Sequence, residues 1–308
     1  LGTEAVLEKH FWGATPEVRH LFRLERDNLA QAIAFGAHGP PMIHAQATVA
    51  WSAIYRWYGP YLPAITVVEE VMGRSDLDPR SRLQLLEAAG ALHGHADQRD
   101  QASEYAGECL QIARILKAPA AEGRALSRRT HQNRKQQDDD VVEACFKEAL
   151  TLMRAGGDSR NEVDTLLYLG SLYMIQDKSE AAERLAHEML EKSLANGCLW
   201  QEARSLRFRA TLYMDVGRMD LAEQDLKRAM QNAQRIEKPL LSMEVNGALG
   251  TLYKDLGRLE ESVERHEVGI QISREVGNRM IECILMGNLA LVLQLQDKPE
   301  DAAKMYRD

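Results

Sequence analysis

The sequence predicts an all-α protein, a solenoid of stacked helical hairpins, and three observations carry that prediction. The chain has 308 residues, 45% hydrophobic but only 6% aromatic, with 9 prolines. Such a composition belongs to helical proteins. No run of alternating Val, Ile or Thr marks a strand. Finally, the chain repeats itself: residues 168–184 read YLGSLYMIQDKSEAAER, 208–224 read FRATLYMDVGRMDLAEQ and 248–264 read ALGTLYKDLGRLEESVE.

The period is 40 residues. Stepping by that interval gives Gly90, Thr130, Gly170, Ala210, Gly250 and Ala290. Two residues further on stand Leu92, Gln132, Leu172, Leu212, Leu252 and Val292; twelve further on stand Ala102, Val142, Ala182, Ala222, Ser262 and Ala302. A fixed period held without insertion is the signature of a repeat architecture.

The elements follow in order. Residues 1–39 read as a linker and a helix over about 16–37, and residues 40–78 as a divergent first hairpin. Trp51, Tyr55, Trp57, Tyr58 and Tyr61 crowd that hairpin and are expected to seal the junction with the regular repeats, or else to present an anchor for a neighbouring domain. The units 79–118, 119–158, 159–198, 199–238, 239–278 and 279–308 each read as one hairpin, the last of them truncated. In the 239–278 unit, Met243, Leu249, Leu252 and Tyr253 recur at helical spacing. Leu256-Gly257 ends that helix, because glycine tolerates the left-handed conformation of a C-terminal cap. Asp97, Asp177, Gly217 and Asp297 occupy the same site in sibling units. A second helix is expected from near Glu260 to about Glu275, with acids in its first turn to suit the helix dipole. Gly250 and Ser262 are expected where the two helices cross, since slim side chains let the backbones approach. A hairpin of this size cannot bury its apolar face alone and must stack on its neighbours. The opening on Leu1 and the half-helix EDAAKMYRD at the end read as a piece of a longer protein.

The pattern L-G-x-L-Y-x-x-x-G-x-x-x-x-A, as at 249–262, resembles the tetratricopeptide repeat. The longer unit resembles the long-helix variant of Leu-Gly-Asn scaffolds and bacterial regulators, with HEVGIQISREVGNRMIECILMGNLALV (266–292) especially similar. The resemblance covers roughly 80–308 and implies a right-handed superhelix, an α-solenoid, whose groove binds a protein or peptide. Upstream, LERDNLAQAIAFG (24–36) is similar to the segment joining the ATPase core to the repeats in STAND-class regulators (signal-transduction ATPases with numerous domains). It implies an upstream ATPase or effector domain in the full-length chain, for which these residues carry no G-x-x-x-x-G-K-[ST] loop.

Catalytic chemistry finds little footing. No nucleophile elbow, zincin motif or phosphate loop is present, so a non-enzyme without cofactor or metal is expected. His93-Gly94-His95 with Asp97 and His131 is the one tempting metal cluster, but the repeat register makes His93 a core-edge residue in the place of Tyr253. The net charge of −8 argues against bulk nucleic-acid binding. Four scattered cysteines, Cys109, Cys145, Cys198 and Cys283, suit a reducing, cytoplasmic setting, and no apolar run suggests a membrane partner.

The resemblance also implies which positions of each first helix line the groove: six and three before, and one, four and five after, the Gly90-type residue. Around Thr130 these are Arg124, Ser127, His131, Arg134 and Lys135; around Gly170, Asp164, Leu167, Ser171, Met174 and Ile175. Around Ala210 they are Arg204, Arg207, Thr211, Met214 and Asp215; Lys254 follows Gly250, and Ile284, Gly287, Leu291, Gln294 and Leu295 flank Ala290. The 119–140 unit departs most from the pattern, with Thr130, Gln132 and Asn133 where Gly, Leu and Tyr are expected. An acidic partner docking on Arg124, Arg128, His131, Arg134 and Lys135 is one explanation, with Ser171, Met174, Arg204, Arg207, Thr211 and Lys254 as further groove candidates. The other is a loosened repeat with solvated charges, Asp138 to Asp140 capping the next helix. The function expected is a non-catalytic binding platform, the sensor arm of a bacterial signalling regulator. Its alternatives are a scaffold that self-associates through the open last hairpin and, less favoured, a nucleic-acid binder using 124–135.

Overall fold

Helices account for most of the described residues. The computed structural model describes His20 and residues 24–305, with nothing said of the Tyr58 side chain. The expected linker and the start of the first helix, 1–19 and 21–23, lie outside the described residues. The elements are α1 (Arg26–Gly36), α2 (Pro41–Tyr58), α3 (Tyr61–Met72), α4 (Pro79–His95), α5 (Arg99–Ile115), α6 (Pro119–Asn133), a 3₁₀ turn (Arg134–Gln136), α7 (Asp139–Ala155) and α8 (Ser159–Ile175). There follow α9 (Ser179–Ala195), α10 (Leu199–Asp215), α11 (Met219–Ile236), α12 (Pro239–Asp255), α13 (Leu259–Val276), α14 (Arg279–Leu295) and α15 (Pro299–Met305). No strand occurs among the described residues. The chain forms two compact units, Leu1–Lys178 with Ala195–Cys198, and Ser179–Leu194 with Leu199–Asp308.

The turns obey the 40-residue period. Asp97, Asp177, Gly217, Gly257 and Asp297 all have positive φ, as do Lys117, Gly157, Gly197, Glu237 and Gly277 in a second series offset by 20. The turns of the first series, and those at Lys117, Gly157, Glu237 and Gly277 in the second, close with the backbone bond of a helix-ending Schellman motif: Arg258 N–H meets the Tyr253 carbonyl at 2.8 Å and Asn278 N–H the Ser273 carbonyl at 2.9 Å. One member is missing: Gln137 is extended, with φ of −129°, because α6 runs into the 3₁₀ turn instead. The unit that departs from the sequence pattern therefore also ends its first helix differently. Asp138 precedes α7 and Asp139 and Asp140 fill its first turn, but the Asp138 side chain makes no capping hydrogen bond.

Helix crossings are close where the small residues fall. The Ser262 hydroxyl donates to the Gly250 carbonyl at 2.7 Å, joining α12 to α13 at the expected pair. Ala210 and Ala290 are fully buried, and Gly170 is buried with them. A side chain at Gly90 would meet Tyr105 Cβ at 3.4 Å and the Ala102 carbonyl at 3.7 Å.

Polar contacts repeat as well. Lys178, Arg218 and Arg258 each follow a left-handed turn residue and lie over Tyr173, Tyr213 and Tyr253, with 5.3, 4.9 and 4.2 Å to the ring centroids. Each also pairs with an acid of an earlier helix: Glu143 at 3.0 Å, Glu183 at 3.5 Å and Glu223 at 3.0 Å.

In the first unit, Trp51 is buried and packs at a tilt against Tyr55, 4.3 Å between centroids, and Trp57 is buried. Tyr61 stacks on His95 at 5.3 Å, tying α3 to the first regular repeat. The core joins Trp51, Ile65, Val68, Leu85, Leu86 and Leu92 with Leu29 and Ile33 of α1, and Tyr55 and Tyr61 pack against it, so these three of the expected aromatics lie at that junction. Arg74 fastens the α1–α2 turn by donating to the carbonyls of Gly36 at 2.8 Å and Gly39 at 3.1 Å. In the second unit, Leu285, Met286, Leu289 and Leu293 of α14 pack with Ile270 and Ala302.

Candidate functional site

The candidate cations divide between the two units. In the first, α6 carries Arg124, Arg128 and His131, and its continuation carries Arg134 and Lys135. Arg124 is engaged inside the protein: its guanidinium meets Glu87 at 2.9 Å and Asp158 at 2.7 Å, with all three side chains at most 20% exposed. Glu87 foremost raises the Arg124 pKa. Burial by itself would lift Glu87, yet Arg124, Arg128 and Arg56 together hold its carboxyl below the usual range. Burial lowers the pKa of Arg56 on α2, Arg128 adds to that, and Glu87 and Asp164 oppose it. These side chains form a desolvated lattice of alternating charge, in which each ion is stabilised by its opposites.

Toward the end of α6 the chemistry changes. His131 stacks flat on Tyr168 of α8, with ring centroids 3.8 Å apart, and the Ser127 hydroxyl bonds to that of Thr165 at 2.8 Å. These two contacts fix α6 against α8 and bury Ser127, so the position three before the repeat residue belongs to the interhelical seam rather than to an open wall. Leu167 is buried likewise. Beyond the stack, Arg134 is half-buried and Lys135 exposed. On α8, Ser171 is half-buried and returns its hydroxyl to the Leu167 carbonyl at 2.8 Å; Met174 is half-buried, and Ile175 is 62% exposed. The α6 terminus thus carries two cations just past the His131–Tyr168 stack.

In the second unit the candidates are held locally. Arg204 lies over the Trp200 ring at 4.8 Å, and Arg207 meets Glu244 at 3.4 Å. Thr211 donates to the Arg207 carbonyl at 3.2 Å, and Lys254 pairs with Asp255 at 3.1 Å. Arg207–Glu244 repeats the Glu87–Arg124 spacing of 37 residues with the charges exchanged, which pairs the position three before one repeat residue with the position six before the next.

The histidines of the tempting metal cluster have other work. His93 is buried, with Nδ1 2.6 Å from the Gln98 side chain and Nε2 2.9 Å from Glu69. Tyr105 donates to the same Glu69 oxygen at 2.7 Å. Among the described residues no group of three His, Cys, Asp or Glu side chains is placed to hold a metal ion. No helix among them is long and apolar enough to cross a membrane.

No protein-family model matches the sequence, and no match was found among curated proteins. Solved structures do resemble it. A Rap protein complexed with Competence and Sporulation Factor superposes with a TM-score of 0.68 at 12% identity, over 93% of this chain and 84% of its own. The Rap conjugation gene regulator of plasmid pLS20, in complex with the Phr* peptide, gives 0.66 at 10% identity, over 86% and 75%. A STAND protein with a tetratricopeptide-repeat sensor from Pyrococcus horikoshii gives 0.57 at 15% identity; the match covers 99% of this chain and 49% of that protein, so this chain spans about half its length. At these identities the likeness speaks for the fold alone. Together with the 40-residue period and the hairpin geometry, it shows that the chain has the fold of a tetratricopeptide-like helical-repeat protein.

Proposed function

We propose that the chain is a non-catalytic, peptide-binding repeat platform whose primary docking point is the basic end of α6. The observation that carries this reading is the pairing of an exceptional helix end with two cations, Arg134 half-buried and Lys135 exposed. Among the described 40-residue units, the 119–158 unit is the one whose first helix lacks a left-handed cap, and there the 3₁₀ turn carries Arg134 and Lys135 just past the His131–Tyr168 stack. Arg128 and His131 supply the flanking charge and aromatic edge, and Ser171 and Met174 the adjoining strip. An acidic or C-terminal carboxylate-bearing peptide fits this chemistry, since arginine receives carboxylates bidentately. Arg124 contributes from behind, fixing α6 through Glu87 and Asp158. Within the second unit, Arg204, Arg207, Thr211 and Lys254 are proposed as contacts of their own for a peptide.

The peptide-bound Rap regulator supports the reading by analogy of fold, and the STAND sensor supports a role as the sensing arm of a larger signalling regulator in which an ATPase or effector lies elsewhere in the chain. Four free thiols are compatible with the cytoplasm as its compartment. The test is an immobilised array of randomised short peptides in acidic, neutral and basic sets. Selective retention on the acidic set, weakening as salt is raised, supports the proposal. Equal retention on all three sets, or on none, contradicts it.

A further inference from the structure

Among the described 40-residue units, the first helix of each but one is tied down at its C-terminal end. The tie has two parts. One is the left-handed cap, closed at 2.8 Å by Lys178 N–H on the Tyr173 carbonyl after α8 and by Arg258 N–H on the Tyr253 carbonyl after α12, with counterparts after α4, α10 and α14. The other is a clamp, in which the same cation lies over that tyrosine ring and reaches an acid of the preceding hairpin's second helix. Lys178 meets Glu143 of α7 at 3.0 Å, and Arg258 meets Glu223 of α11 at 3.0 Å. At the end of α4, His93 takes the place of the ring and holds Glu69 of α3 at 2.9 Å. After α14 the cap remains, with Lys298 turned to Gln296 at 3.0 Å.

After α6 both parts are gone. One repeat before the α8 turn, Asn133 stands for Tyr173, Asp138 for Lys178 and Ser103 for Glu143, while Gln137 stands for the left-handed Asp177. The ring, the cation and the acid are thus all missing from their places. Gln137 is extended, and Asp138 N–H makes no bond back to the Asn133 carbonyl.

The earlier part of α6 is fixed: Arg124 is held by Glu87 and Asp158, Ser127 by Thr165 and His131 by Tyr168. Those anchors end at His131. Among the described residues, no side chain of 132–137 makes a hydrogen bond or ion pair. Segments with few anchoring contacts open locally, at a fraction of the free energy of global unfolding.

We infer that the last turn of α6 and the 3₁₀ turn form a joint that opens by itself in the free chain and is closed by a docked peptide. The opening follows from the missing tie alone. The closure rests on the peptide-binding reading: Arg134 and Lys135 sit on the joint, so a ligand that binds them in the closed form shifts the equilibrium toward it.

Amide hydrogen exchange of the whole chain, read residue by residue, tests the joint. In the free chain, amides of 132–136 should be at least ~10-fold less protected than those of 172–176 and 252–256, the same positions in sibling repeats. An acidic peptide retained on the array, at saturation, should restore at least ~10-fold protection to 132–136 and leave 252–256 unchanged. Restoring the tie with Gln137→Gly, Ser103→Glu, Asn133→Tyr and Asp138→Lys together should bring 132–136 to the sibling level without any ligand. Equal protection of 132–136 and its siblings overturns the inference, and so does fast exchange that the restored tie leaves unchanged. Fast exchange that a bound peptide leaves unchanged overturns the closure while the binding reading stands. A chain that binds no peptide sinks that reading and the closure together, and the free-chain contrast still decides the opening.

Discussion

Gly250 lies directly beneath the imidazole of His266: a methyl group at position 250 would stand 2.6 Å from both Cε1 and Nε2 of the ring. The ring is fully buried and neither nitrogen has a hydrogen-bond partner among the described residues. The glycine is therefore required by one particular neighbour, not only by the crossing of two backbones. Gly250→Ala should lower stability by about 1–3 kcal/mol through overpacking. Gly90→Ala, at the same repeat position but facing only ordinary contacts, should be neutral or stabilise by up to ~1 kcal/mol through helix propensity. Thermal melting of the two variants side by side checks the contrast, and shortening the ring site with His266→Ala should relieve much of the Gly250→Ala defect.

The same ring predicts acid sensitivity. Burial, with a smaller contribution from Lys254, pushes the His266 pKa from 6.5 down to about 4. A histidine whose folded pKa lies below its unfolded value stabilises the fold fully above the unfolded pKa. That stability falls as the pH drops from about 6.5 toward 4, because the unfolded chain takes the proton first. Roughly 2 kcal/mol should be lost between about pH 7 and pH 5 by this linkage. Denaturant titrations at both pH values should show the loss, and His266→Leu should flatten it. The carboxylates act lower: Lys147 above all, with Lys178 and Tyr173, holds Glu143 at about 2, so its contribution is lost only as the pH falls below 4.5 toward 2.

Arg124 and Arg134 lie on one helix and its continuation but should behave oppositely. Arg124→Ala leaves Glu87 and Asp158 buried without their shared cation, at a cost of about 3–5 kcal/mol. Arg134→Ala, at a half-buried site past the end of α6, should cost no more than about 0.5–1 kcal/mol while weakening peptide binding. Melting midpoints of both variants make the comparison.

Non-glycine residues in left-handed turns offer stabilising changes. Lys117 and Glu237 hold φ of 51° and 47° at sites where Gly157, Gly197 and Gly277 stand in sibling repeats. Glu237→Gly and Lys117→Gly should each raise stability by roughly 0.5–1 kcal/mol by relieving the Cβ clash. Differential scanning calorimetry reads the shift.

Much of the fold was legible because it is periodic. The left-handed caps at Asp97, Asp177, Gly217, Gly257 and Asp297, and the contact of Ser262 with Gly250, follow from a residue type recurring at a fixed interval. The second series of caps was equally readable in Gly157, Gly197 and Gly277, but Lys117 and Glu237 obscured it. The His266–Gly250 contact was not legible, since it depends on a side chain particular to one repeat. In the 119–158 unit, Thr130 replaces the small crossing residue, and the close approach moves to Gly123, where a Cβ would stand 2.7 Å from the Ala149 carbonyl. Pairing of inner charges was also hidden. Arg124 and Arg207 read as open cations, whereas each finds an acid 37 residues away, a partner that only repeat stacking brings near.

The central claim is that the basic end of α6 receives the ligand, and one titration tests it most directly. The measurement is fluorescence anisotropy of a labelled acidic peptide, selected on the array, against the wild-type chain and the Arg134→Glu/Lys135→Glu variant. Charge reversal at the half-buried Arg134 and the exposed Lys135 should change the melting temperature little and weaken binding at least ~10-fold, the equivalent of about 1.4 kcal/mol. Equal affinity for the two proteins would contradict the account and move the binding face elsewhere.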